Sequence, residues 1–149
     1  MKHLVKWALL AFMILLFSSC KKDEPAPVPV KADYLGTVTV TFRGEDVDTD
    51  KIEVNFTPSA DGKTADILIK KIKFVPQMPV TLDITIPGVT LTAKNNGFEL
   101  SGEGLVPLAM GGEFPQYTVS GLYGLVAGDK ISFLLKFGDY PTKYTGTKL

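Results

Sequence analysis

Few side chains in this protein could do acid–base or covalent chemistry, and the best of them stand at its beginning. The only histidine is His3 and the only cysteine is Cys20. Before Cys20 come a basic start (Lys2, His3, Lys6), an unbroken apolar run from Trp7 to Phe17, and the small residues Ser18 and Ser19. A basic head, a short apolar body and small residues ahead of a cleavage point make a secretory signal. Residues 1–19 are therefore expected to leave the mature chain and to take His3 with them. What remains has no histidine and one thiol, at its first position. That excludes Ser-His-Asp triads, histidine acid–base catalysis and His/Cys zinc sites.

Two groups of carboxylates are left. Asp46, Asp48 and Asp50 alternate after Glu45, and spaced oxygen ligands suit Ca²⁺. An EF-hand loop also needs Gly at its sixth place and Glu at its twelfth. Counted from Asp46, those places hold Lys51 and Thr57. The run reads instead as a solvated acidic loop between the first two strands, and no metal or other cofactor is expected. A glycosidase pair needs two acids about 5–10 Å apart in a cleft. Asp83, Glu99 and Glu103 are the acids inside or beside later strands, and Asp83 and Glu99 fall on the outward phase. The chain is not expected to be an enzyme; a carboxylate-based envelope enzyme is the weakest alternative.

The start of the chain gives an address. The apolar run has 11 residues (7–17), whereas a membrane-spanning helix needs roughly 17–25. Phe17-Ser18-Ser19-Cys20 resembles a bacterial lipobox, which implies that Cys20 is acylated and holds the protein in a membrane. One acyl chain anchors marginally and two or more anchor firmly; lipoproteins of this type carry two or three. Lys21-Lys22-Asp23-Glu24 is similar to the short charged signal that sends such lipoproteins to the outer face of the outer membrane. The expected location is the outer membrane, facing either the cell surface or the periplasm. Without Lys2 and Lys6, 14 basic residues face 16 acidic ones, and Arg43 is the only arginine. Nucleic-acid binding, which needs clustered cations, is not expected.

The elements behind these residues are strands. Residues 20–33 form a linker after the lipidated cysteine, with Pro25, Pro27 and Pro29 alternating with Ala26, Val28 and Val30, a composition that favours an extended spacer. From Tyr34 the apolar period is two. Val38, Val40 and Phe42 alternate with threonines, Ile52, Val54 and Phe56 with polar residues. The same holds for Val80, Leu82, Ile84 and Ile86, and for Ile131, Phe133, Leu135 and Phe137. Weaker candidates cover 64–73, 89–94, 97–103, 116–125 and 142–148. Turn signals at Asp61-Gly62, Asn95-Asn96-Gly97 and Gly128-Asp129 separate them. The expectation is one all-β domain over 34–149, a single antiparallel up-and-down β-barrel of about eight strands, because closure removes edge strands. Tyr34-Leu35-Gly36 at the start and Tyr144-Thr145-Gly146 at the end echo each other, and closure would set them side by side.

The lipobox, the Pro-rich spacer, Tyr34-Leu35-Gly36, Val119-Ser120-Gly121-Leu122-Tyr123-Gly124 and Tyr144-Thr145-Gly146 together resemble the calycin-like β-barrel lipoproteins of Bacteroidetes, small relatives in shape of lipocalins. The resemblance covers roughly 34–149 and implies a barrel; its motifs are structural. True lipocalins carry an early Gly-x-Trp, and here Gly36 is followed by Thr37 and Val38. Two apolar but irregular segments, 74–79 and 104–115, break the strand pattern. Their Phe74, Met78, Leu108, Met110 and Phe114 are the candidate residues for contact with a protein partner or a small apolar ligand; the competing reading is a plug that closes one barrel end. An eight-stranded barrel is just wide enough to be filled by side chains or to hold one small ligand. Phe42, Phe56, Phe98, Tyr123, Phe133 and Phe137 are expected inside and would fill much of it. The expected role is a lipid-anchored binding or interaction module that recognises a partner by loops or the outer barrel face, with lipocalin-like carriage of a small apolar ligand as the rival.

Overall fold

The computed structural model describes residues 28–75 and 77–149. The signal segment, Cys20 and the linker up to residue 27 lie outside the described residues. Ten strands follow: β1 (Ala32–Phe42), β2 (Glu45–Pro58), β3 (Thr64–Ile72), β4 (Leu82–Lys94), β5 (Gly97–Gly102), β6 (Leu108–Ala109), β7 (Gly112–Glu113), β8 (Val119–Ala127), β9 (Lys130–Phe137) and β10 (Tyr140–Lys148). A 3-10 turn, Pro115–Tyr117, precedes β8. Eight of the strands close a ring in the order β1, β2, β3, β4, β5, β8, β9, β10 and back to β1, all antiparallel. The short hairpin of β6 and β7 joins the free edge of β4 at Ile84 and Thr85, beyond the reach of β5.

Closure is therefore as the sequence predicts, and the echo has a physical meaning. β1 pairs with β10, and Gly36 stands opposite Gly146. A side chain at Gly36 would run into the Thr145–Gly146 backbone, and a Cβ at Gly146 would lie 2.7 Å from Cε1 of Tyr144. Gly36 lets the two backbones approach closely, and Gly146 leaves room for the Tyr144 ring at the seam. Its hydroxyl donates to the carbonyl oxygen of Ile52 on β2 at 2.9 Å, beside a register break between Gly36 and Val38. One side chain thus ties three strands.

Alternation fills the interior. On β9, Ile131, Phe133, Leu135 and Phe137 point in, and on β10 Thr142 and Tyr144 do. Phe133 packs on Tyr144 with ring centroids 5.4 Å apart. Buried Gly124, opposite Phe133, makes room for that ring, since a Cβ there would stand 2.5 Å from the Cβ of Phe133. Tyr34, Phe56, Phe74, Phe137 and a set of isoleucines complete a continuous core.

Several elements differ from the sequence expectation. Segments 80–86 and 89–94 are one strand, β4, bent at Pro87-Gly88, and Val80 lies outside it, exposed. Asp46–Asp50 is not a loop: it lies within β2, and the turn is Arg43-Gly44. Thr37, Thr39 and Thr41 donate their hydroxyls to Asp50, Asp48 and Asp46 at 2.8, 2.7 and 2.6 Å across the outer face of the β1–β2 pair. Tyr123 points outward and is half exposed, because a bulge between Ser120 and Tyr123 shifts the phase and turns Leu122 and Gly124 inward. Phe42 is half-buried at the barrel end rather than inside it.

Candidate functional site

The two barrel ends are distinct. At one, here the tether rim, residues 28–31 enter β1 and short turns join β2 to β3, β4 to β5 and β8 to β9. Val28 and Pro29 lie beside the β2–β3 turn at Ser59–Gly62. At the other, the far rim, tight turns at Arg43-Gly44 and Gly138-Asp139 stand beside the two irregular segments, 73–81 and 103–118. The topology thus gathers the segments flagged by sequence at one end.

They do two things there. Phe74 enters the barrel mouth and is fully buried. It stacks on Tyr117 at 4.4 Å, meets Phe137 edge-on at 5.1 Å and lies 5.7 Å from Tyr140. Its backbone N–H donates to the Met78 sulfur at 3.2 Å. Phe114 continues the stack onto Tyr117 at 6.1 Å. Phe74, Met78 and Phe114 therefore build a plug, with pairwise ring contacts that each add about 0.5–1.5 kcal/mol beyond burial. Leu108 and Met110 do not join them. They sit on the β6–β7 hairpin, 40% and 80% exposed. A groove of about 400 Å³ separates that hairpin from the outer face of β3 and β4, lined by Leu68, Asp83, Thr85, Leu108 and Met110.

The hairpin turn is strained. Met110 and Gly111 have φ of 51° and 80°, the left-handed pair that a two-residue turn of this kind demands and that Asn-Gly ordinarily supplies. Methionine gains nothing from that conformation. At the Arg43-Gly44 turn, Arg43 also has positive φ, and its guanidinium lies 5.1 Å from the centroid of the Phe42 ring.

The acids weighed as catalytic candidates, and two others beside them, hold backbone or side-chain partners. Strand bulges leave N–H groups without ladder partners. Asp83 accepts the N–H of Lys71 at 3.0 Å, Asp66 that of Gly88 at 3.1 Å, and Glu103 that of Gly121 at 2.9 Å. Each carboxylate caps a bulge on a neighbouring strand. Glu99 stands 3.5 Å from Lys94. Glu53 accepts Lys70 at 2.6 Å and Asn55 at 3.0 Å; those hydrogen bonds, the lysine's first, hold its carboxyl below the usual range. Tyr144 is pushed well above the ordinary phenol range by burial and then by the Glu53 charge, and Tyr34 is raised by burial and by Asp129. Among the described residues no group of three His, Cys, Asp or Glu side chains is placed to hold a metal.

The sequence reading of the outer barrel face as a surface for a partner named none of its residues. A groove of about 530 Å³ there is lined by Thr39, Asp46, Leu134, Lys136 and Lys143, among others. Tyr123 and Leu134 form an exposed cross-strand pair on the same wall. The outward phase of β9 and β10 carried that signal.

A closed, eight-stranded, antiparallel meander with a packed interior defines the class: a small calycin-type barrel. The family model of the calycin-like beta-barrel domain matches residues 30–146, and the chain belongs to that family. No curated protein and no solved structure matches it significantly.

Proposed function

We propose that this protein is a non-catalytic binding module of the bacterial cell envelope, a Bacteroidetes-type lipoprotein held in the outer membrane by acylated Cys20, that meets its partner with its exterior. The observation that carries this reading is the filled interior. Tyr34, Phe56, Phe74, Phe133, Phe137 and Tyr144 are buried in one cluster along the barrel, which leaves recognition to the wall and the far rim. Exposed apolar side chains on a strained turn favour the β6–β7 hairpin, with Leu108 and Met110 as the contacts. The absence of histidine and of any thiol but Cys20 in residues 20–149 supports a role without catalysis. No helix among the described residues is long and apolar enough to cross a membrane; the proposed anchor rests on the lipobox-like Phe17-Ser18-Ser19-Cys20.

The test has two arms. A photo-crosslinker at position 108 or 110 in intact cells should give a discrete adduct that the same group at Thr92, exposed on β4, does not give. A fluorescent fatty acid should not bind the protein saturably. Saturable micromolar binding with no adduct at the hairpin would replace this reading with that of a lipocalin-like carrier.

A further inference from the structure

The outer wall sets a knob beside a hollow, and the hairpin reading uses neither. Tyr123, Leu125 and Leu134 are exposed apolar neighbours on β8 and β9. Tyr123 stands opposite Leu134, and Leu125 lies two places from Tyr123 on the same face. Side chains so placed are within reach of one another. On its other flank Leu134 faces Lys143, across the β9–β10 ladder. The row across the wall is thus ring, leucine, ammonium. Leu134 and Lys143 also border the groove of about 530 Å³, where Gly121, Thr39 and Pro141 carry little side chain. Four charged residues line that groove, Asp46 and Glu103 against Lys136 and Lys143. Asp46 accepts the Thr41 hydroxyl, and Glu103 accepts the Gly121 N–H with both oxygens. Among the described residues neither lysine has a carboxylate within ion-pair distance. With two charges of each sign, the groove has no net charge to select an ion. A neutral side chain with an apolar body suits it better, and Tyr123 is one.

We infer that the outer face of β8, β9 and β10 receives a second copy of this chain, about a two-fold axis that runs along β9 past Leu134. A two-fold interface uses one patch twice, so every contact occurs in both directions. Rotation about that axis sets Leu134 on its counterpart. It also lays each Tyr123 ring over the other copy's Lys143, at the groove, and a cation over a ring face is attracted to it. An axis across the strands would instead set Lys143 on Lys143 and leave both rings without a cation. Lys130 and Lys136, further along β9 in either direction, meet their own counterparts at the margins, where solvent and salt screen the repulsion. Barrel walls are convex, so the contact belongs to the small, transient class, under about 1,200 Å² in total. An axis along β9 also turns both tether rims to the same side and both β6–β7 hairpins to the other. The pair would then offer two hairpins together, which raises avidity without new contacts.

The test uses cells producing the full chain in two versions whose tags differ in length. Ser132→Cys puts a thiol beside Leu134 on the axis without touching the apolar row. A short bismaleimide should then join two copies and give a band midway between the two same-tag dimers. The same thiol at Thr92→Cys, exposed on β4, should give no more than the wild-type level set by Cys20. Adding Tyr123→Ser should cut the joined fraction at least about tenfold, as loss of a central aromatic contact does. Lys143→Leu, the milder change, should lower it about two- to fivefold. Leu35→Ser, at an exposed apolar residue on β1, should leave it unchanged. Absence of the mixed band, a band whose mass fits only another protein, equal joining from Thr92→Cys, or undiminished joining with Tyr123→Ser or Lys143→Leu would each overturn the two-fold face.

Discussion

The two rims of this barrel are built from different kinds of chain. The tether rim is made of short hairpin turns, such as Asn95-Asn96 and Gly128-Asp129, which hold the wall together and expose charge. The far rim adds to its tight turns two long irregular segments, whose side chains divide between a buried aromatic plug and an exposed hairpin. The contrast teaches where sequence is constrained. Wall residues must serve the ladder on one side and the core on the other. Far-rim residues answer mainly to the mouth they close, and Leu108 and Met110 stand exposed outside it. Stability should therefore depend on the seam and the core, and recognition on the far rim.

The largest effect expected follows from the seam. Removing 142–149 deletes most of β10, which pairs with β1 over Tyr34–Val40 and with β9 along its length. Two long edges would be left open, and such edges aggregate. The truncated chain should be unfolded or aggregated by circular dichroism and gel filtration. A cooperative melt near the wild-type temperature would show that closure is dispensable and that the contrast between wall and rim is false.

Next in size is the core ring Phe133, buried against Tyr144 and Gly124. Phe133→Ala should lower stability by about 3–5 kcal/mol in urea melts, the usual range for a buried aromatic ring. The half-buried Phe114 at the far rim should lose less than half as much on truncation. Equal losses at the two positions would mean that the plug is core in its own right; a loss at Phe133 under about 1 kcal/mol would mean a loosely filled barrel.

Much of this division was legible beforehand, for a definite reason. Period two over Val38–Phe42, Ile52–Phe56 and Ile131–Phe137 fixes strands and their buried faces, and the glycine echo at 36 and 146 marks the seam. What escaped was the place where the period breaks. Ile69 to Ile72, Ile86 to Val89 and Val119 to Leu122 are each spaced by three, and in each pair both side chains face the core across a bulge. Read as turns or ends, those breaks split β4 in two and put Tyr123 inside. The carboxylates that cap the bulges come from elsewhere in the chain, Asp66 and Asp83 from neighbouring strands and Glu103 from just after β5, so their role depends on pairings that no local pattern encodes. The far-rim candidates show the same limit. Outside a strand, apolar character alone does not say whether Phe74 turns in or Met110 turns out.

Smaller, and specific to the seam, is the Tyr144 hydroxyl. Tyr144→Phe removes the bond to the Ile52 carbonyl and should cost about 1–2 kcal/mol near neutral pH. It should also change the alkaline limb. The folded phenol titrates above its unfolded value of about 10, so its protonated form is favoured in the barrel. That stability is fully present below pH about 10 and is lost as pH rises toward the folded value, because the unfolded chain releases the proton first. Wild-type protein should lose stability steeply above pH about 10, and Tyr144→Phe should lose it less steeply. Parallel alkaline profiles for the two would place the hydroxyl in solvent and remove the tie between β10 and β2.

The smallest change, and the sharpest test of the contrast, is at the far-rim hairpin. Met110 holds a positive φ that glycine adopts freely, and its side chain is 80% exposed. Met110→Gly therefore removes strain without removing core. The strain relieved is about 1–2 kcal/mol, offset in part by the extra freedom glycine gives the unfolded chain. The net expectation is a gain of a few tenths to about 1 kcal/mol in the midpoint of denaturant melts. If the hairpin is a contact surface, the same substitution should weaken partner crosslinking from position 108, so stability and recognition move in opposite directions at one residue. A loss of stability would mean that Met110 packs on the barrel after all. A gain in stability with undiminished crosslinking would remove Met110 from the contact and leave Leu108 to carry it.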